Sequence, residues 1–273
     1  MKNEDFKKEL ELTNELKNAV NKNSDSSTFS RIYNNYHEFI LKNGLPSEKR
    51  KKDGYLYAPP NYQNLAEKII FKLIPKNSKL LEIGFGDGRL SYQLARGKNC
   101  AVTAIDISDV AVKIAQKNFR LSPTLNYLKA DARKLPFQNE SFDFVLSKDL
   151  IEHLPAKDHR NHFNEVKRVL KNNGLYIFFT PSKIIPRKSR GLHLKEYNLR
   201  ELLERLVEYG FKNEKIYLVQ TAILGISSSL PKFLIKTVGT YETLMEKTKI
   251  HKLLIFGGMH KFLLPRYIIS AQK

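Results

Sequence analysis

From residue 78 onward, short apolar runs alternate with amphipathic segments, and this alternation is the strongest constraint on what the chain can fold into. SKLLEIG, CAVTAIDIS, LNYLKAD, FDFVLSKD, LYIFFTP, KIYLVQTA and RYIISAQ read as strands. Between them GRLSYQLARG, VAVKIAQKNFRL, HRNHFNEVKRVLKNNG and NLRELLERLVEYGF read as helices, the third stopping at Gly174. Strands alternating with helices predict an α/β fold, a mostly parallel sheet covered by helices on both faces. Such sheets receive ligands at the carboxyl ends of their strands, where the polar motifs of this chain fall.

Three helices are expected before that region. Residues 1 to about 22 place Phe6, Leu10, Leu16 and Val20 on one side of the first. After a break at NSDSSTFS (23–30), RIYNNYHEFILKNG forms a second that stops at Gly44, and NLAEKIIFKLI forms a third that ends at Pro75. The chain thus divides into an N-terminal helical arm or lid (1–62), a core (63–222), a helical insertion (223–264) and a final core strand (265–273).

Composition narrows the setting. With 273 residues and 41% hydrophobic content the chain can bury one large core with an appendage. Its one cysteine, Cys100, excludes an intramolecular disulfide. The N-terminus is charged throughout, without the apolar centre of a signal peptide, and no apolar run is long enough to span a bilayer. A cytoplasmic protein, with peripheral membrane contact as a variant, is the expectation. The formal charge of +19 suits nucleic acid or an anionic membrane, yet the lysines are scattered among asparagines along the whole chain. A compositional habit explains that spread equally well.

The loop after the first strand, LLEIGFGDGRLS, carries Gly84, Gly86 and Gly88 as G-x-G-x-G, not the G-x-G-x-x-G of dinucleotide sites. Acids at Glu82 and Asp87 suit a ligand with a cationic part better than a pyrophosphate. Asp106 ends the second strand, 22 residues after Gly84, where a carboxylate can accept from two ribose hydroxyls. Asp131 and Ala132 follow the third strand, placed to read an adenine edge. Together these describe an adenosine carrying an amino-acid tail, with Glu82 for the α-amino group.

The series LLEIGFGDGRL, VTAIDIS, KADARKLPFQNESFDFVLSKDLIEHLP, RVLKNNGLYIFFTP and HLKEYNLRELLERLVEYGF resembles the Rossmann-like, class I S-adenosylmethionine-dependent methyltransferases, over roughly residues 65–222 plus the last strand. The resemblance implies a seven-stranded sheet whose last strand is antiparallel and inserted beside its neighbours. It also implies S-adenosylmethionine held by Glu82, Gly84, Gly86, Gly88, Asp106, Ile107, Asp131, Ala132 and Lys148.

Methyl transfer asks the protein to align a nucleophile and, for an oxygen acceptor, to remove a proton. The residues after the fourth strand, SKDLIEHLP, offer Asp149, Glu152 and His153. D-x-x-E-H resembles the E-x-x-E-H segment of the ubiquinone-biosynthesis O-methyltransferases and of small-RNA 2′-O-methyltransferases. That resemblance implies a divalent cation, Mg²⁺, on Asp149, Glu152, His153 and His193, with Asp149 standing where those groups carry Glu. In metal-free members of the family His153 is a base or lines the pocket. His153 is the first candidate for the proton and His193 the second.

The acceptor is not encoded by the core motifs. Tyr33, Tyr36, Tyr55, Tyr57 and Tyr62 in the arm can close over the cofactor or stack on a flat acceptor, or simply pack on the sheet edge. Residues 228–273 carry eight Lys or Arg against two Glu, interleaved with Leu, Ile and Phe, as in an apolar lid or a helix on an anionic bilayer. The favoured reading is O-methylation of a small-molecule, lipid-linked or glycan-precursor acceptor. RNA ribose methylation is the alternative within enzymes, for which only EKRKKDG is concentrated enough to suggest a phosphate contact. A non-catalytic, cofactor-binding scaffold is the alternative outside them.

Overall fold

The seven strands pair as anticipated. In a computed structural model, which describes residues 3–43, 60–119, 123–181, 183, 192–218 and 266–273, they form one sheet. The strands are β1 (Lys79–Ile83), β2 (Ala101–Asp106), β3 (Leu125–Lys129), β4 (Phe142–Lys148), β5 (Leu170–Pro181), β6 (Lys212–Leu218) and β7 (Arg266–Gln272). Their spatial order is β3-β2-β1-β4-β5-β7-β6. The first five run parallel, whereas β7 is antiparallel to both β5 and β6.

The strands are apolar on both sides because both sides are covered. Successive side chains of a strand point to opposite faces, and here each face has its own core. Leu81 and Ile83 of β1, Tyr176 and Phe178 of β5, and Tyr267 and Ile269 of β7 lie in one core. Their neighbours Leu80, Ile177, Phe179 and Ile268 lie in the other.

The first core is roofed by α6 (His159–Val169) and α7 (Leu199–Glu208), the second by α3 (Pro60–Leu73), α4 (Arg89–Lys98) and α5 (Asp109–Asn118). On α6 the buried positions His159, His162, Phe163, Val166 and Val169 follow the three-to-four spacing of a helical stripe. Asn198 caps α7 by accepting from the Glu201 amide at 2.8 Å.

The arm consists of α1 (Asn3–Asn21) and α2 (Ser26–Asn43). Leu12, Leu16 and Ala19 of α1 and Phe29 and Ile32 of α2 meet around Leu192 in a third cluster. Leu16 and Val20 pack on the buried face of α1 as expected, but Leu10 is 49% exposed and Leu12 is buried in its stead. The helix α2 also starts earlier than expected. Asp25 accepts from the Thr28 amide at 3.0 Å, so the helix begins inside NSDSSTFS.

A third difference concerns α6, which ends at Val169 and not at Gly174. Leu170 pairs with Phe142, and the Glu140 and Ser141 amides donate to the Arg168 and Val169 carbonyls, so sheet pairing captures this stretch before the helix can continue. The insertion at 223–264, the EKRKKDG run, His260, Tyr55, Tyr57 and the side chain of Tyr62 lie outside the described residues. Among the described residues, no helix is long and apolar enough to cross a membrane.

Ser108 joins arm and core. Its hydroxyl accepts from the Ala111 amide at 3.2 Å, capping α5, and donates to Asn34 of α2 at 2.8 Å. Ser108→Ala removes a buried cap, and is expected to lower unfolding free energy by about 1 kcal/mol in urea titration. Asn34→Ala, which leaves the cap intact, is expected to cost less.

Candidate cofactor and acceptor cavity

Between β1 and β4 the direction of strand addition reverses, and the loops at the carboxyl ends part to form a crevice. A cavity of about 360 Å³ occupies it. The glycine loop, the end of β2, the turn at 130–133, the end of β4 with the loop after it, and α2 all contribute to its walls.

The three loop glycines have φ of 75°, 60° and 78°. At Gly88 a Cβ would meet Ala115 Cβ at 2.6 Å and the Tyr127 ring at 2.9 Å, so that glycine lets the loop rest on α5 and β3. At Gly86 a Cβ would meet nothing within 4 Å, and the residue borders the cavity. Asp106 fixes the loop from below: its carboxylate accepts from the Gly86 amide at 3.1 Å and the Ser108 amide at 3.0 Å.

Glu82 is buried at the end of β1 and borders the same cavity. Burial pushes its carboxyl up to about 7, against the opposing pull of the Ser91 hydroxyl, which donates to it, and of the Lys148 charge. A carboxyl in this state takes up a cationic group favourably, since the incoming charge replaces a proton. An open cradle at Gly86 beside a buried acid thus fits a nucleoside with an ammonium-bearing tail. Ile107 and Ala132 border the cavity too, and Ile107 gives its carbonyl to the Ser30 hydroxyl at 2.9 Å.

Asp131 borders the cavity but is already engaged. It accepts from the Arg133 amide (2.9 Å), from Arg133 Nε and Nη2 (3.0 and 2.7 Å) and from the Ser26 hydroxyl of α2 (2.6 Å). Burial alone would raise its carboxyl, but the Arg133 and Ser26 bonds outweigh burial and hold it below the usual range. Arg133 also donates to Asp158 at 3.0 Å and lies over the Phe29 ring, 4.6 Å from its centroid. Neither partner was singled out from the sequence, although a basic residue two positions after an acid is a visible cue for such a pair.

Farther along, His153 borders the cavity next to Leu150 and Leu154, opposite Phe29, Tyr33 and Tyr36 of α2. Its Nδ1 lies 3.1 Å from the Leu192 carbonyl. A carbonyl can only accept, so Nδ1 carries the proton and Nε2 is the basic nitrogen. The Tyr33 hydroxyl donates to the His153 carbonyl at 3.2 Å, which seats α2 over this loop. The His193 ring packs edge-on to His153 at 4.7 Å, and its Nδ1 is 2.6 Å from the buried Glu196. Glu152, fully buried, accepts from the Thr180 hydroxyl at 3.1 Å, and His193 Nε2 is 4.0 Å from it.

Glu152, His153 and His193 each bring a ligand atom within 4.8 Å of the others, a group that does not include Asp149. Asp149 borders the cavity with φ of 53° and donates its amide to the Phe179 carbonyl at 2.9 Å. Two imidazoles and one carboxylate suit Mg²⁺ poorly, because that ion takes oxygen ligands. His37 bonds back to the Tyr33 carbonyl within α2, and His159 bonds to Tyr197 and the Leu154 carbonyl.

Comparison with known proteins agrees with the fold. A family model described as a methyltransferase domain matches residues 81–178. An uncharacterized protein of Methanocaldococcus jannaschii is 34% identical over 152 residues, which cover 52% of this chain and 68% of that protein. An eEF1A lysine and N-terminal methyltransferase homolog of Drosophila pseudoobscura pseudoobscura is 34% identical over 123 residues, 42% of this chain and 18% of that protein. This chain spans less than half the length of the first curated relatives it matches. Among solved structures, a Thermotoga maritima protein described as a SAM-dependent methyltransferase, possible histamine N-methyltransferase, superposes with a TM-score of 0.55. The match is 17% identical and covers 90% of this chain and 98% of that one.

Glu82 sets a pH dependence. Below its raised pKa the carboxyl holds a proton that a cationic ligand must displace. Affinity for S-adenosylhomocysteine is expected to rise between about pH 5 and about pH 7, with proton release on binding. Calorimetry in buffers of different ionisation enthalpy checks this, and Glu82→Gln is expected to bind more weakly with no proton release over that range.

Proposed function

This chain belongs to the class I (Rossmann-like) S-adenosylmethionine-dependent methyltransferase superfamily, and on that premise we propose that it methylates an oxygen of a small, partly apolar acceptor. One observation carries the reading. His153 and the aromatic wall of α2 share a single cavity with the glycine loop, so an acceptor seated against Phe29, Tyr33 and Tyr36 lies within the same crevice as the cofactor cradle.

Each residue then has a defined task. Bound S-adenosylmethionine supplies a methyl group on a sulfonium, leaving the protein to orient a nucleophile and take its proton. Glu82, Gly86, Asp106 and Lys148 all border the cavity, and in this reading Glu82 and Lys148 take the amino-acid tail, Gly86 leaves room for the ligand backbone and Asp106 takes the ribose. The Leu192 carbonyl holds His153 with Nε2 basic, the state a general base needs. Packing of His193 against His153, with Glu196 behind it, keeps the base from turning. Leu150, Leu154 and the α2 aromatics exclude water, which strengthens every charge interaction inside. A lipid-linked or glycan-precursor acceptor fits the same wall, with its bulk outside.

Incubation with methyl-labelled S-adenosylmethionine and a cell extract, split afterwards into lipid, small-molecule and RNA fractions, tests the proposal. Base-stable or base-labile label in the lipid or small-molecule fraction, on oxygen, is the expected result. Label in RNA, lost on nuclease treatment, overturns the acceptor class, and cofactor binding without label in any fraction supports a scaffold. His153→Ala is expected to cut turnover by about 10²- to 10⁴-fold, while S-adenosylhomocysteine still binds.

A further inference from the structure

We infer that His162 is a positioning residue for the nucleoside end of the cavity: it fixes the turn at Asp131–Arg133 so that this turn can discriminate the adenine edge. The inference rests on the cofactor reading above and adds to it a residue of α6 that makes no contact with the cavity itself.

His162 is fully buried in the apolar stripe of α6, between His159, Phe163 and Val166. A leucine at this place would fill the core without a polar group to satisfy, so the imidazole has to be accounted for by its bonds. Its Nδ1 is 2.9 Å from the Ala132 carbonyl and its Nε2 is 3.1 Å from the Tyr176 hydroxyl, which is 2.7 Å from the Ser147 hydroxyl. Because the carbonyl can only accept, the proton is on Nδ1, and Nε2 accepts from Tyr176. Tyr176 in turn accepts from Ser147. Burial pushes the imidazole down to about 4, so it stays neutral and this pattern has one direction.

The peptide that His162 grips is the one joining Ala132 to Arg133. Its carbonyl is held by His162, and its amide, that of Arg133, donates to the Asp131 carboxylate at 2.9 Å. Both ends of one peptide plane are therefore fixed, one from the core and the other by the acid that faces the cavity. The turn is closed by the Lys134 amide, which donates to the Asp131 carbonyl at 3.1 Å. Through Tyr176 of β5 and Ser147 of β4 the same chain of bonds reaches the strand whose next residue, Lys148, borders the other side of the cavity. Thus the turn is held in register with the central strands by hydrogen bonds and not by packing alone.

The test compares binding of S-adenosylhomocysteine with that of S-inosylhomocysteine, which carries an oxo group where adenine has its amine. His162→Leu removes both bonds. His162→Asn keeps a donor close to the position of Nδ1 and is the conservative rescue. Relative to the wild type, His162→Leu is expected to bind S-adenosylhomocysteine about tenfold more weakly and to lose most of the preference for it over the inosine analogue. His162→Asn is expected to remain within about threefold on both measures.

Tyr176→Phe removes only the hydroxyl that donates to Nε2 and leaves the bond to the Ala132 carbonyl in place. It is expected to lose part of the preference, and it serves where His162→Leu does not fold by circular dichroism. Equal weakening of both ligands, or unchanged preference in folded His162→Leu or Tyr176→Phe, overturns the inference. Failure of the wild type to bind S-adenosylhomocysteine at all instead overturns the cofactor reading on which it rests.

Discussion

The reversal of strand order between β1 and β4 is the constraint on which the rest depends. Strands added to one side of β1 send their loops one way, and strands added beyond β4 send theirs the other. The crevice left between them opens at the carboxyl ends of the central strands. Glu82 from the end of β1, Asp106 from β2 and Lys148 from β4 border it, three neighbouring strands whose parallel register puts Asp106 and Lys148 level with each other and two residues beyond Glu82. The glycine loop must then turn sharply above Asp106, which it does by giving that carboxylate its Gly86 amide.

Electrostatics around the crevice are uneven, and the unevenness separates its ends. Glu82 is buried with its proton partly retained, whereas Asp131 is half-buried, saturated by Arg133 and Ser26, and stays ionised. The two acids thus differ in what they can still accept: one suits a cation, the other can accept a ligand donor only in exchange for a bond it already has. Around His153 the surroundings change again to aromatic and aliphatic side chains, with imidazoles and buried carboxylates behind. The site therefore grades from charged to apolar along its length.

Much of this was legible in the sequence because it is local. The alternation of periods gave the strands, the family resemblance implied the antiparallel last strand, and the acids beside the glycine loop and at the ends of the next two strands drew attention to Glu82, Asp106 and Asp131. What was not legible depends on distant partners. Leu10 and Leu12 lie on opposite sides of α1, and the cluster around Leu192 decides which of them is buried. LKNNG continues a plausible helix, and pairing of Leu170 with Phe142 overrides it. Ser26 lies 105 residues from Asp131, and nothing near either suggests that they meet. His162 reads as a surface polar residue until the stripe that contains it is seen to be buried.

The place of β7 has a consequence for how the chain is made. Strand β6 touches the sheet only through β7, and residues 219–265 separate the two. A ribosome adds about 5–20 residues per second, so β6 emerges seconds before the strand that will hold it. During that interval β5 presents an unpaired edge, Tyr176, Ile177, Phe178 and Phe179 among its residues, to whatever is nearby. The order of synthesis therefore leaves this aromatic strand edge open, and this is the stage at which association with another nascent chain competes with folding.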